Sequence, residues 1–137
     1  GMVVSSDMGD SLDVHPKQKK EIGARLARLA LNKTYNMKKL TPCGPMIKKV
    51  DFKRGAAYPT FEYGKDLRAE SGDTILGFEI AGEDKIFYPA IVENNKGELK
   101  VWCVEVENPK YIRYGWQPYT NANLVNGDGL PASTFRY

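Results

Sequence analysis

A chain of 137 residues, 42% hydrophobic and 27% charged, is sized and balanced for one globular domain or one with a small addition. No run is long or apolar enough to span a membrane, and no charged segment followed by an apolar core marks a leader. The net charge of +3 is mild, and two cysteines, Cys43 and Cys103, are too few for a disulfide scaffold and form no metal-ligand cluster; they make one bridge or two free thiols.

In chain order, residues 2–8 (Met-Val-Val-Ser-Ser-Asp-Met) open on a short apolar run that predicts a buried strand entering a loop. Gly9-Asp10-Ser11-Leu12 is spelled like the nucleophile motif of the GDSL esterases. Ser11, however, stands four residues before His15, the only histidine. One loop would have to hold nucleophile and base, with no sheet to set their geometry and no separate oxyanion donors, which argues against Ser11 as the nucleophile. Asp13-Val14-His15-Pro16 sets an imidazole at a strand-to-helix corner beside a carboxylate. A lone histidine is usually a structural or surface group. A neutral imidazole held by a carboxylate is also the general base of a serine triad.

Pro16 fits the first position of a helix over 16–34. Ile22, Leu26, Leu29, Ala30 and the stem of Lys33 form an apolar stripe, widened by Ala24, Ala27 and Leu31. Gly23 costs about 1 kcal/mol relative to alanine inside a helix, which predicts close packing there. Lys17, Lys19, Lys20, Arg25, Arg28 and Lys33 face a single acid, Glu21. With no aromatics interleaved they read as a solvated face and not as a nucleic-acid stripe. Cations in the first turn oppose the helix dipole, so packing must hold this helix. Its stripe needs a partner surface, and left uncovered it predicts self-association.

Asn36, Thr41-Pro42 and Cys43-Gly44-Pro45 mark a linker, after which the periodicity changes from 3.6 to 2. The boundary divides residues 1–40 from 45–137. Strands are predicted at 46–52, at 57–63 (an edge, because of Pro59), at 74–81 with Leu76, Phe78 and Ile80 on one face, and at 86–92, where Pro89 marks an edge or bulge. Asn94-Asn95-Lys96-Gly97 predicts a hairpin turn into a strand over 98–106, followed by one at 111–116 and an irregular tail from Gln117. The fold expected is α+β: one N-terminal amphipathic helix, then an antiparallel β-sandwich of about 90 residues.

Several of these residues carry a resemblance. Asp13-Val14-His15-Pro16-Lys17-Gln18-Lys19, Arg25-Leu26-Ala27 and Gly44-Pro45 form one block. Gly77-Phe78-Glu79-Ile80-Ala81-Gly82-Glu83-Asp84, Phe87-Tyr88-Pro89-Ala90, Arg113-Tyr114-Gly115-Trp116, Asn123-Leu124-Val125-Asn126 and the run Gly129 to Arg136 form another. In this order, over nearly the whole chain, they resemble the C-terminal part of the bacterial sialate O-acetylesterases. The resemblance implies an SGNH-type flavodoxin-like esterase domain combined with β-sandwich material. It implies hydrolysis of O-acetyl esters on sialic acids by a Ser-His-Asp set without metal or cofactor, in the periplasm or outside the cell. It makes His15 the general base, Asp13 the acid that orients it, and residues 16–34 the last helix of the esterase domain. The serine, the oxyanion-hole glycine and the asparagine fall in a preceding segment, so the chain alone is expected to be inactive and to have that N-terminal domain as its partner. The broader SGNH pattern spaces acid and base as Asp-x-x-His; the spacing here is Asp-x-His, with Asp10 as the alternative acid. Thr134 stands where the family commonly has proline.

A different class stays open: a carbohydrate-binding or buttressing module. Trp102, Tyr111, Tyr114, Trp116 and Tyr119 are core residues on the plain reading. Trp116 and Tyr119 are the candidates for stacking on a sugar. Arg113 either meets a sialate carboxylate or pairs with a neighbouring acid.

Overall fold

The structure, a computed structural model, describes every residue except Ser11, Val14 and Pro16. Among the described residues, a 3-10 turn (Ser6–Met8) precedes one helix, α1 (Lys19–Lys33). Ten strands follow: β1 (Met46–Lys53), β2 (Ala56–Glu62), β3 (Arg68–Ala69), β4 (Phe78–Ala81), β5 (Tyr88–Pro89), β6 (Ile91–Asn95), β7 (Glu98–Trp102), β8 (Tyr111–Tyr114), β9 (Leu124–Val125) and β10 (Phe135–Arg136). They form four-stranded sheets in the orders β1-β2-β7-β6 and β10-β8-β4-β5, and a two-stranded ribbon of β3 and β9. All pairings between strands are antiparallel. The α+β class read from the sequence is the one observed. Both large sheets feed one apolar core, with Val50, Ala57, Leu99 and Val101 from the first and Phe78, Ile80, Ile112, Tyr114 and Phe135 from the second.

Local chemistry sets the corners. Lys96 and Gly97 both have positive φ, 52° and 94°, as a two-residue type I′ turn requires, and the Asn94 side chain accepts the Gly97 N–H at 2.8 Å. Burial alternates along β7, with Leu99 and Val101 inside. The strand then ends at Trp102, not at residue 106. Val106 N–H turns back to the Cys103 carbonyl (3.4 Å), leaving Val104 exposed. The segment 86–92 is two strands, because the chain changes sheets at Ala90: β5 edges one sheet, as Pro89 predicts, and β6 enters the other. Leu76, expected on one face with Phe78 and Ile80, is exposed, and Ile75 is buried instead. Gly77, at φ 94°, shifts the alternation by one residue. β2 is an inner strand, not an edge. Its register with β7 is confined to Ala57↔Val101, so the ladder has stopped before Pro59, where proline has no N–H to offer.

The N-terminal region departs most from expectation. Residues 2–5 form no strand; Arg25 on the helix takes the Val4 carbonyl at 2.8 Å, so this backbone bonds to a side chain and not to a neighbouring strand. His15 therefore lies in a loop and not at a strand-to-helix corner. The helix starts at Lys19, after Gln18, and the expectation placed on Pro16 falls outside the described residues. Gly23 is exposed with nothing within 4 Å of an added Cβ, so it does not mark close packing. Arg25, Arg28 and Asn32 contribute polar docking contacts of the helix. Arg28 donates to the Thr41 carbonyl (2.6 Å) and pairs with Asp128 (3.2 Å), and Asn32 donates to the Leu40 carbonyl (2.7 Å). Leu26 and Leu31 of the apolar stripe stay exposed, while Leu29 is half-buried.

Asn126 is buried and ties three segments together. Its Nδ2 donates to the carbonyls of Cys43 (3.3 Å) and Tyr63 (3.0 Å), and its Oδ1 accepts the Leu130 N–H (3.0 Å). Nearby, Gly44 lies so close to the Pro131 backbone that a Cβ has no room. Both cysteines are free thiols, Cys103 buried and Cys43 half-buried, and burial pushes each thiol up from its ordinary pKa.

Two outcomes follow for stability. Asn126→Leu leaves two carbonyls and one N–H unmatched and costs about 2–4 kcal/mol, read by chemical denaturation; a loss under half of this contradicts the role given to Asn126. Gly23→Ala raises stability by up to about 1 kcal/mol, whereas a glycine packed against a neighbour would lower it.

Candidate functional site

The loop between the 3-10 turn and α1 holds the sequence's candidates. His15 Nδ1 lies 3.0 Å from Asp13 Oδ1, and the same oxygen accepts the His15 backbone N–H at 2.9 Å. A carboxylate can only accept, so Nδ1 carries a proton in this contact, and in the neutral ring the lone pair is then on Nε2. The two hydrogen bonds hold the Asp13 carboxyl below the usual carboxylate range, the backbone N–H contributing more than the ring. The stabilisation they give the carboxylate is fully present above the ordinary aspartate range and is lost as pH falls through the lowered value. Both side chains are open to solvent. Asp10 does not reach the ring. Its Oδ1 accepts the Leu12 N–H (2.9 Å), and Oδ2 lies 3.5 Å from Lys17 Nζ, which is also 3.8 Å from Asp13. Ser11 lies outside the described residues.

An interaction the sequence reading missed anchors this loop. Arg25 donates to both carboxylate oxygens of Asp7, at 2.8 and 2.6 Å, with both side chains largely buried. Met8 is buried beside it. The N-terminal segment is thereby clamped to α1 just before the Gly9–His15 loop begins. Nothing local in the sequence pairs residues 18 apart, and Arg25 read as one more solvated cation.

The other candidates lie on the β body. Arg113 donates to Glu79 through Nε (2.8 Å) and Nη2 (2.9 Å), and its guanidinium lies 4.1 Å from the Phe87 ring centre. Of the two roles weighed for Arg113, pairing with an acid is the one seen. Trp102 donates its indole N–H to Glu93 at 2.7 Å. Tyr114 is core, its hydroxyl accepting the Leu124 N–H at 2.8 Å. Burial raises its pKa far above the ordinary phenol value. Trp116 and Tyr119 are exposed on the loop after β8. Two cavities of about 320 and 490 Å³ share Trp116, Gln117, Tyr119 and Thr120; the second also takes in Ser6, Gly9 and Asp10. The β body and the loop leading to Asp13 and His15 thus meet across one cavity.

No family model matches the chain, and no curated protein does. Among solved structures it is similar to a carbohydrate acetylesterase from Xanthomonas citri, with 36% identity and a TM-score of 0.89, over 96% of this chain and 31% of that one. The chain therefore spans less than a third of that protein's length. The likeness supports a relation to a carbohydrate esterase. No helix among the described residues is long and apolar enough to cross a membrane.

Arg25→Ala leaves the Asp7 carboxylate without its partner at a largely buried position. Limited proteolysis of this variant should cut the Ser5–Gln18 segment at least tenfold faster than in the parent chain while the β core stays protected. Equal cutting rates contradict the anchoring role.

Proposed function

We propose that this chain is the part of a carbohydrate O-acetylesterase that carries the base side of a Ser-His-Asp acyl transfer. The observation that supports it most is the 36% identity to a carbohydrate acetylesterase over 96% of the chain, combined with an imidazole oriented by Asp13. In this reading residues 1–40 close an SGNH-type esterase domain and 45–137 form a β-sandwich beside it. The nucleophilic serine and the oxyanion donors come from a segment outside these 137 residues, and that domain is the partner of the exposed helix face.

The chemistry follows from the ring's geometry. The serine attacks the acetyl carbonyl while His15 Nε2 takes its proton. The imidazolium formed is stabilised by Asp13 through Nδ1–H. The alcohol of the sugar leaves with that proton, and an acetyl-enzyme remains. Water then adds with His15 again as base, and acetate is released. The substrate that the sequence resemblance implies is an O-acetylated sialic acid, met in the periplasm or outside the cell. Arg113, for which a sialate carboxylate and a neighbouring acid are the two partners considered, is paired with Glu79. The reading is therefore set at the broader class of O-acetylated sugars, with the sialate as one member. A carbohydrate-binding role of the β body is the second reading, favoured by the exposure of Trp116 and Tyr119.

Acetate release from acetylated carbohydrate tests the proposal in the longer protein. His15→Ala should lower kcat about 10⁶-fold and Asp13→Ala about 10⁴-fold, with little change in KM. The 137-residue chain alone should not turn over p-nitrophenyl acetate. Turnover by the chain alone that disappears in Ser11→Ala would overturn the assignment of the nucleophile to another segment.

A further inference from the structure

Trp116 and Tyr119 are large rings, 47% and 60% exposed, where Phe78 and Tyr114 of the same sheet are each 2% exposed. Neither ring enters an aromatic pair or a cation–π contact among the described residues, although the core next to them is built from such pairs. The Trp116 indole N–H, the Gln117 amide, the Tyr119 hydroxyl and the Asn121 amide make no side-chain hydrogen bond to the described residues. The loop's ends, in contrast, are fixed. The Gly115 N–H donates to the Gly77 carbonyl (2.9 Å), and Thr120 Oγ1 accepts the Ala122 N–H (3.1 Å). Gly77 is pressed on Ala122 so closely that a Cβ would stand 2.5 Å from that residue's Cβ. A loop fixed at both ends that turns two aromatic rings and several free polar groups outward, between cavities of about 320 and 490 Å³, is a preformed surface with apolar faces and a polar rim.

From this we infer that the Gly115–Asn121 loop is a platform for a neutral pyranose, which stacks on Trp116 and Tyr119 and is hydrogen-bonded by Gln117 and Asn121. Pyranose rings offer C–H faces to an aromatic ring and hydroxyls at their edge, the two chemistries the loop exposes together. Charge selects the neutral class. Apart from Tyr119, the titratable side chains lining the two cavities are Glu79 and Asp10, both carboxylates, and no lysine or arginine lines either cavity among the described residues. Arg113 is held by Glu79 through both nitrogens, and Lys17 is shared between Asp10 and Asp13. A sugar carboxylate placed here would give up hydration with no lysine or arginine lining either cavity to replace it. Since the larger cavity also takes in Gly9 and Asp10, a sugar on the platform lies on the side of the molecule where the chain runs on to Asp13 and His15. That last step rests on the esterase reading; binding to the platform does not.

The test follows the two indole N–H signals of the ¹⁵N-labelled 137-residue chain, which has two tryptophans. The probes are methyl β-D-glucopyranoside, methyl β-D-galactopyranoside and N-acetylneuraminic acid at millimolar concentrations. The Trp116 signal, assigned with Trp116→Phe, should move and saturate with at least one neutral glycoside while that of Trp102 stays. N-acetylneuraminic acid should bind at least tenfold more weakly. Tyr119→Ala, at an exposed position that leaves the fold intact, should weaken binding about tenfold, the size of one aromatic contact. No shift with any probe, a response confined to Trp102, or tighter binding of N-acetylneuraminic acid overturns the platform and leaves the assignment of His15 untouched. Saturable binding beside a failed acetate-release test keeps the platform and removes the esterase reading.

Discussion

Asn126 is the interaction on which the rest of this structure depends. A buried side-chain amide has fixed donor and acceptor demands, and here they are met by three distant parts of the chain: the linker at Cys43, the end of β2 at Tyr63 and the tail at Leu130. None of these carbonyls and N–H groups lies within the paired strands of the large sheets. The amide gives the linker and the tail what a sheet gives its strands, a set of obligatory partners. With the tail held, Leu124, Ala132 and Phe135 can complete the core that the two sheets begin.

Both candidate regions take their positions from this arrangement. The tail fixes Ala122, against which Gly77 packs, and so sets the loop of Trp116 and Tyr119. Asp128 on the same tail binds Arg28 of the helix, and one turn earlier Arg25 clamps Asp7. The loop of Asp13 and His15 is thus anchored at its start through a helix that is itself docked on the tail. Charged and amide side chains help to hold the helix: Leu26 and Leu31 are exposed, while Arg25, Arg28 and Asn32 make hydrogen bonds and ion pairs to the rest of the chain.

Much of the β region was legible because its signals are local. Two consecutive positive-φ positions with an Asn-x-x-Gly spelling fix the hairpin at 94–97, and of the two alternating faces that follow it the structure buries the one with Leu99, Val101 and Cys103. The errors have local causes too. Gly77 inverts the alternation at Leu76, and Ala90 hides a change of sheets inside what reads as one strand. The helix face was misread because apolar periodicity assumes apolar docking, whereas partners such as Asp7 and Asp128 become visible only in space. At the site, Asp13 and His15 are two residues apart and their contact is local, so it could be read ahead. The bond between Arg113 and Glu79 joins residues 34 apart across two strands, and the sequence alone left two roles open.

The central claim is that Asp13 holds His15 as a base, with the proton on Nδ1 and the lone pair on Nε2. The ¹⁵N chemical shifts of the neutral His15 ring report this directly. Our account predicts a pyrrole-type Nδ1 and a pyridine-type Nε2, with the preference lost in Asp13→Ala. A ring that carries its proton on Nε2, or one whose shifts do not change when Asp13 is removed, contradicts it.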